Sequence, residues 1–111
     1  MLPKTNRLTK KEIIAFLPNA KTIRGNLLFL KYRLGGSPPE VKVGASVSKK
    51  VINSAVERNK QRRLIYRVVK TNFKDIPVGQ FFFIFNKTGN REEIEAETIS
   101  LLQKIRPETN F

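Results

Sequence analysis

The chain has 111 residues, 40% of them hydrophobic, which is enough for one compact core and too few for two, so we predict a single domain over residues 1–111. Twenty-two Lys and Arg side chains against nine Asp and Glu give a net charge of +13, which favours a polyanionic partner, nucleic acid before an anionic membrane surface. Neither Cys nor His occurs, which excludes disulfides, thiolate nucleophiles and imidazole bases, together with the commonest transition-metal ligands.

The first predicted element is a short helix. Thr9 and Glu12 have the spacing of a capping box, and several apolar side chains follow them. Pro18 cannot continue a helix because it has no backbone N–H to donate. We therefore predict a helix over about residues 10–17.

Two strands are predicted next. Side chains of alternating character occur in residues 26–34 and again in residues 41–47, which is typical of β-strands. Between them lies a cluster of turn-forming residues, Gly35, Gly36, Ser37, Pro38 and Pro39. The two strands are therefore predicted to form an antiparallel hairpin.

The C-terminal half predicts a helix, a strand and a second helix. Residues 54–73 contain no Gly or Pro, so a long helix can form before Pro77. Residues 80–86 are almost continuously aromatic, which favours a central strand buried on both faces over a stacking platform for bases. This run is far shorter than the ~20 apolar residues that span a bilayer, so we expect a cytoplasmic protein with no membrane partner. Asn90 can cap a last helix with an acidic first turn.

Positive charge is concentrated on and just before the long helix. Between residues 49 and 70 the single acid Glu57 stands against eight basic side chains, Lys49, Lys50, Arg58, Lys60, Arg62, Arg63, Arg67 and Lys70. A rotation of about 100° per residue separates most of the cations of the helix from an apolar arc, which consists of Leu64, Ile65, Val68 and Val69. Guanidinium and ammonium groups suit phosphate oxygens better than base edges, so we expect binding to an RNA backbone that weakens steeply with salt. A solvated basic face without a partner is the alternative.

The segment 43–64, VGASVSKKVINSAVERNKQRRL, resembles the signature of the bacterial ribonuclease P protein family. In that family an Arg-Asn-Arg-type motif opens the long helix, and here it stands as Arg58, Asn59 and Lys60. The strand, the Lys pair and the motif match together, and the resemblance covers about residues 6–85.

The resemblance implies a fold and a division of labour. The fold is an α/β sandwich like the second domain of ribosomal protein S5, with a mixed sheet, a left-handed β-α-β crossover and the order α-β-β-β-α-β-α. The protein is then part of an enzyme only as a subunit. Ribonuclease P RNA performs the hydrolysis, using Mg²⁺-activated water to remove the 5′ leader of precursor tRNA, and the protein binds both RNAs with no obligate protein partner, no catalytic residue and no metal site of its own.

The resemblance also assigns residues to two surfaces. The catalytic-RNA face consists of Lys49, Lys50, Arg58, Asn59, Lys60, Arg62, Arg63 and Arg67. The leader cleft consists of Arg7, Ile14, Phe29, Lys31, Tyr32, Val43, Ser46 and Ser48. The chain departs from the family pattern at Tyr66, where another Arg is usual, and at Ile14 and Pro18, where the first helix often carries aromatic residues.

Three other functions are weighed against this one. A ribosomal or other structural RNA-binding protein without a processing role would explain the charge but not the joint match of strand, Lys pair and motif. A self-sufficient nuclease would need carboxylate-bound metal, yet Asp75 is the only Asp and the Glu residues crowd one helix. A helix-turn-helix DNA-binding protein is disfavoured by the β-rich flanks of the basic helix.

Overall fold

Three α-helices and four strands, together with three short 3-10 helices, form the regular structure of the described residues. The computed structural model describes residues 2–36 and 39–105, and the order of elements within them is α-β-β-β-α-β-α, as the resemblance implies. The elements are α1 (Lys10–Phe16), β1 (Lys21–Arg24), β2 (Leu28–Leu34), β3 (Val41–Ser46), α2 (Ala55–Thr71), β4 (Gly79–Phe85) and α3 (Arg91–Lys104). None of the helices in these ranges is long and apolar enough to cross a membrane.

The helices begin where side-chain caps predict. Thr9 and Glu12 form the predicted capping box of α1, with each side chain bonded to the other residue's backbone N–H. Asn90 and Glu93 form a second box at the start of α3. The Ser54 hydroxyl accepts a bond from the third residue of α2. These contacts satisfy backbone donors that the first helical turn leaves free, and for that reason they set the helix starts.

The sheet is mixed, with the strand order β1-β2-β4-β3. The predicted hairpin between β2 and β3 is wrong, because β4 lies between them, antiparallel to β2 and parallel to β3. The aromatic strand takes the centre since it carries large apolar side chains on both faces and needs a partner on each edge. Of the turn cluster that suggested a hairpin, Ser37 and Pro38 lie outside the described residues. The hairpin that the structure shows joins β1 to β2.

The main core lies between the sheet and the helices α2 and α3. From the strands it contains Leu28, Leu30, Val41, Val43, Phe81, Phe83 and Phe85, and from the helices Leu64, Ile65, Val68, Val69, Ile94 and Leu101. The predicted apolar arc of α2 is thereby confirmed. The predicted burial of β4 on both faces is also confirmed, since Phe82, on the other side of the strand, is only 9% exposed. The core packing leaves one face of α2 exposed, whereas α1 and the segment before it partly cover the second face of the sheet.

A carboxylate of α3 fastens the β1–β2 hairpin to the rest of the fold. Glu97 Oε2 accepts bonds from the backbone N–H groups of Leu27 and Leu28, both at 2.6 Å. Gly25 N–H closes the same turn on the Leu28 carbonyl oxygen at 2.8 Å. A Cβ atom on Gly25 would stand 2.5 Å from Glu97 Oε2, so the approach of the carboxylate requires glycine there.

Candidate nucleic-acid interface

The sheet face turned away from α2 and α3 carries three cross-strand rows of side chains, and we call it the open face. Strand register brings the rows together, because residues paired across strands point to the same side. The rows are Arg24, Phe29, Ile84 and Ser46, then Thr22, Lys31, Phe82 and Gly44, then Arg33, Gln80 and Lys42. The face therefore combines cations from three strands with aromatic and small side chains.

Phe29 is the aromatic side chain of the first row. Its side chain is partly exposed, and the Arg24 guanidinium lies 5.6 Å from the ring centroid. Lys31 Nζ donates to Thr22 Oγ1 at 3.0 Å, which holds a second cation beside the ring. A ring face next to positive charges can stack on a base while the cations bind the adjoining phosphates.

Helix α1 borders the open face at the β3 side. Glu12 pairs with Lys42 there, and Phe16, one turn further along α1, is buried. A Cβ atom on Gly44 would stand 3.0 Å from the Phe82 ring and 3.4 Å from Leu8 Cβ, so glycine allows these side chains to close over β3. Between α1 and the open face lies a cleft of about 300 Å³, which is lined by Glu12, Arg33, Gly35, Gly36, Glu40, Lys42 and Gln80.

The Glu12–Lys42 pair predicts a pH effect on how α1 is held. The Lys42 ammonium donates to the Glu12 carboxylate and lowers the pKa of Glu12, with help from the Thr9 N–H. Because the pKa of Glu12 is lower in the folded than in the unfolded protein, its charge stabilises the fold fully above the unfolded pKa of about 4.3. This contribution is lost as pH falls through the lowered pKa of the folded protein. The same bond raises the pKa of Lys42. The stability that the charged Lys42 side chain contributes is therefore lost only as pH rises through that raised pKa.

We expect Lys42→Gln to raise the pKa of Glu12 toward its ordinary value, because the largest cause of the shift is removed while the hydrogen bonds to Thr9 remain. NMR titration of the Glu12 carboxyl measures this directly. Lys11→Gln, which makes the same charge change on the exposed side of α1, is the matched control and should leave the titration in place. An unchanged Glu12 titration in Lys42→Gln would contradict the pairing.

The eight residues predicted for a leader cleft do not share one surface. Only Phe29, Lys31 and Ser46 lie on the open face. Four of the other five point away from this face, so their predicted place in a shared cleft is wrong. They are Arg7, Ile14, Tyr32 and Val43. The place of Ser48, which is exposed just beyond β3, stays a prediction.

Strand alternation and helix periodicity explain these four positions. Tyr32 and Val43 point to the helix side, where Val43 is completely buried. Arg7 pairs beside Val43 and its guanidinium lies 6.0 Å from the Tyr66 ring centroid of α2, on the same side. Ile14 is 63% exposed, since it lies two residues from both Glu12 and Phe16 and so on the far face of α1. Ser48 follows β3 in the loop that leads to α2.

Several residues of the open face were not predicted from the sequence. Arg24 belongs to a four-residue strand that no pattern in the chain indicates, and Lys42 and Ile84 become neighbours of the cleft only through pairing with β4. Alternation within each strand was visible in the sequence, but the register that aligns one strand with the next was not. Knowledge that β4 pairs with both β2 and β3 would have identified Lys42 and Ile84.

The outer arc of α2 carries four of the six cations of this helix. Lys60, Arg63, Arg67 and Lys70 are exposed there, and we call these four the basic face. Arg62 lies on the flank of the arc, partly buried, and donates to the Asn59 side chain. Lys49 and Lys50 are exposed in the preceding loop, near the start of the helix.

Arg58 takes a different position from the rest of its motif. It lies on the inner flank of α2, and its Nη1 donates to the backbone carbonyl oxygens of Ile52 and Asn53 at 3.0 and 2.8 Å. The guanidinium thus ties the loop that carries Lys49 and Lys50 to the first turn of the helix. Its part in RNA binding stays a prediction.

Tyr66, where the family usually has Arg, lies one turn after Arg62 on the same flank of α2, near both Arg62 and Arg7. Burial raises the pKa of its phenol, and the charges of Arg7 and Arg62 oppose that shift without cancelling it. Arg7 Nε is buried and has no hydrogen-bond partner among the described residues. The N-terminal segment therefore brings an additional cation to this edge of α2.

A small α+β fold with cations on the outside of one helix and on the open face of its sheet defines a protein that binds a polyanion. The model of the family Ribonuclease P matches residues 2–106. The chain belongs to the ribonuclease P protein family. As a member it is a protein subunit of the ribonucleoprotein endoribonuclease that acts in tRNA 5′ processing, and ribonuclease P RNA is its partner.

Relatives of known name support the same assignment. The ribonuclease P protein component of Lactococcus lactis subsp. cremoris is 34% identical over 88 residues, which cover 79% of this chain and 74% of that one. The protein component of Bacillus velezensis is 34% identical over 111 residues, which cover 99% of this chain and 94% of that one.

Solved structures support the fold. The Staphylococcus aureus RNase P protein superposes with a TM-score of 0.79 at 20% identity, covering 91% of this chain and 94% of that one. The Thermotoga maritima protein superposes with a TM-score of 0.77 at 20% identity, covering 91% and 98%.

Proposed function

We propose that the chain binds ribonuclease P RNA along the basic face of α2 and its flank at Arg62, and holds the 5′ leader of precursor tRNA on the open face of the sheet. The observation that carries the proposal is the separation of the two surfaces. Helix α2 covers one side of the sheet, whereas Phe29 and its flanking cations lie on the other. One small protein can then contact two RNAs at once without their competing for the same side chains.

Each surface suits its proposed RNA. The basic face offers Arg guanidinium groups, which donate paired hydrogen bonds, and Lys ammonium groups to the phosphates of a folded RNA. These contacts require no particular base sequence. The open face offers one partly exposed ring and several cations, which suit a single strand that passes between α1 and the sheet.

The proposal assigns the hydrolysis to the RNA and places the complex in the cytoplasm. In the ranges that the structure describes, no three His, Cys, Asp or Glu side chains converge on a point that could hold a cation. Mg²⁺ held by the RNA would supply the activated water. The protein's own residues bind and orient the two RNAs.

Cleavage of a precursor tRNA at low Mg²⁺ tests the proposal. A bacterial ribonuclease P RNA is assayed with and without the protein, beside a protein-only control. We expect cleavage that requires the RNA and is stimulated by the protein. Cleavage by the protein alone would establish a nuclease, and RNA binding without stimulation of several such RNAs would favour a structural RNA-binding role instead.

Phe29→Ala tests the open face separately. We expect the holoenzyme to lose roughly 5- to 30-fold in affinity for precursor tRNA, because stacking on a ring contributes about 1–2 kcal/mol per base. Affinity for mature tRNA and for ribonuclease P RNA should not change. Tyr32→Phe, on the same strand but the opposite face, is the matched control. An unchanged preference for precursor over mature tRNA would remove Phe29 from the leader site.

A further inference from the structure

A groove between α2 and α3 is lined almost entirely by cations. Its volume is about 300 Å³, and six residues line it, Lys60, Gln61, Arg63, Leu64, Arg67 and Arg91. Four of these six side chains are positively charged and none is acidic. Three of the cations belong to the basic face, whereas Arg91 comes from the first turn of α3 and lies outside every surface predicted from the sequence.

The cations stand on both walls of the groove. Lys60, Arg63 and Arg67 are spaced i, i+3 and i+7 along α2, which places them on one strip roughly 10 Å long. Arg91 faces them from α3, where its Nε pairs with Glu95 at 3.3 Å while 64% of its side chain stays exposed. This contact restrains the Arg91 side chain at the rim without covering it.

The charge along the seam between the two helices is polarised. Beyond Arg67 the seam continues past Thr71, Asn72 and Glu95, and then past Asp75. Glu57 lies beside Lys60 and Glu95 beside Arg91, but the four cations at the end with Arg91 outnumber these acids, so that end has the charge to accept a phosphate. An anion is directed to one position rather than spread over the helix pair.

We propose that this groove binds the phosphate backbone of ribonuclease P RNA, so that the RNA-binding surface of α2 continues across the seam to Arg91 of α3. The inference rests on the proposed function, in which α2 contacts that RNA. The leader is not the occupant, because it is assigned to the open face on the other side of the sheet.

Gln61 lines the groove together with the cations, and its Oε1 is buried without a hydrogen-bond donor within the described part of the chain. A nucleotide seated between the two walls can supply that donor through its 2′-hydroxyl once the Gln61 side chain turns toward it. RNA, unlike DNA, carries that donor.

The test compares variants of the full chain for binding to ribonuclease P RNA at several salt concentrations. Arg91→Gln is expected to weaken binding roughly fivefold and to reduce the salt slope by about 1, as for the loss of one phosphate contact. Arg91→Lys should restore most of both. Lys104→Gln removes the same charge at the other end of α3 and is the matched control, with binding within about twofold of wild type.

Three results would overturn the inference, and they differ. If Arg91→Gln binds ribonuclease P RNA as tightly as Lys104→Gln does, and the wild-type protein binds it too, the groove is not part of the binding surface and the proposed function still stands. Arg91→Gln that lowers the preference for precursor over mature tRNA at saturating protein would show that the occupant is the substrate instead. Wild-type protein that does not bind ribonuclease P RNA would overturn both proposals. Circular dichroism of each variant checks that α3 is intact.

Discussion

Replacing Arg62 and Arg63 together with Ala is expected to weaken binding of ribonuclease P RNA roughly 30-fold, since two phosphate contacts contribute about 1 kcal/mol each. The salt slope should fall by about 2 for the same reason. The fold should persist, because Arg63 is exposed, Arg62 bonds only within its own helix to Asn59, and Ala favours helix more than Arg does. Filter binding at several salt concentrations measures the loss, and far-ultraviolet circular dichroism reports the helix content.

The matched control for this pair is Lys74→Ala with Lys87→Ala. Both lysines are exposed, neither belongs to α2, and the double change removes the same charge. We expect it to weaken binding no more than about threefold, through the general field of the protein. Equal losses in the two double variants would mean that net charge, not the α2 surface, sets the affinity. A loss of circular dichroism in the Arg variant would contradict the placement of these side chains.

Glu97→Ala is expected to lower the free energy of unfolding by about 2–4 kcal/mol, because two backbone N–H groups bonded to a carboxylate lose their acceptor. Leu28 is completely buried and Leu27 nearly so, hence water does not readily replace the carboxylate at this turn. The lost contact also joins α3 to the β1–β2 hairpin, so the effect should spread to β1. Urea unfolding, monitored by circular dichroism, measures the shift of the unfolding midpoint. With an unchanged m-value, this shift gives the change in the free energy of unfolding.

Two variants separate the turn contact from a general effect of charge on α3. Glu97→Gln keeps an acceptor oxygen and should cost about 1 kcal/mol. Glu95→Ala removes an acid of the same helix that pairs only with the exposed Arg91, and should cost about 0.5 kcal/mol or less. If Glu97→Ala were no more destabilising than Glu95→Ala, the carboxylate would not be what holds the hairpin.

Local features of this protein followed from its sequence. The starts of α1 and α3 were predictable from Thr9 and Asn90, because a capping side chain and its backbone partner lie within four residues of each other. The apolar and basic arcs of α2 were predictable for a similar reason, since helix periodicity depends only on residue spacing. The family resemblance at Arg58, Asn59 and Lys60 added one further strand to the order of elements that local rules predicted.

The pairing of strands and the grouping of side chains into a cleft were decided only by tertiary structure. β4 separates β2 from β3 because its aromatic side chains need cover on both faces, and its register with both strands puts Val43 on the face opposite Phe29. Tyr32 lies on that opposite face through alternation within β2 alone. Glu97, one of several acids on α3 in the sequence, is distinguished only by a hairpin about 70 positions earlier. Sequence alone determined charge, caps and helix faces, which depend on near neighbours, whereas register and the open face depend on contacts between residues far apart in the chain.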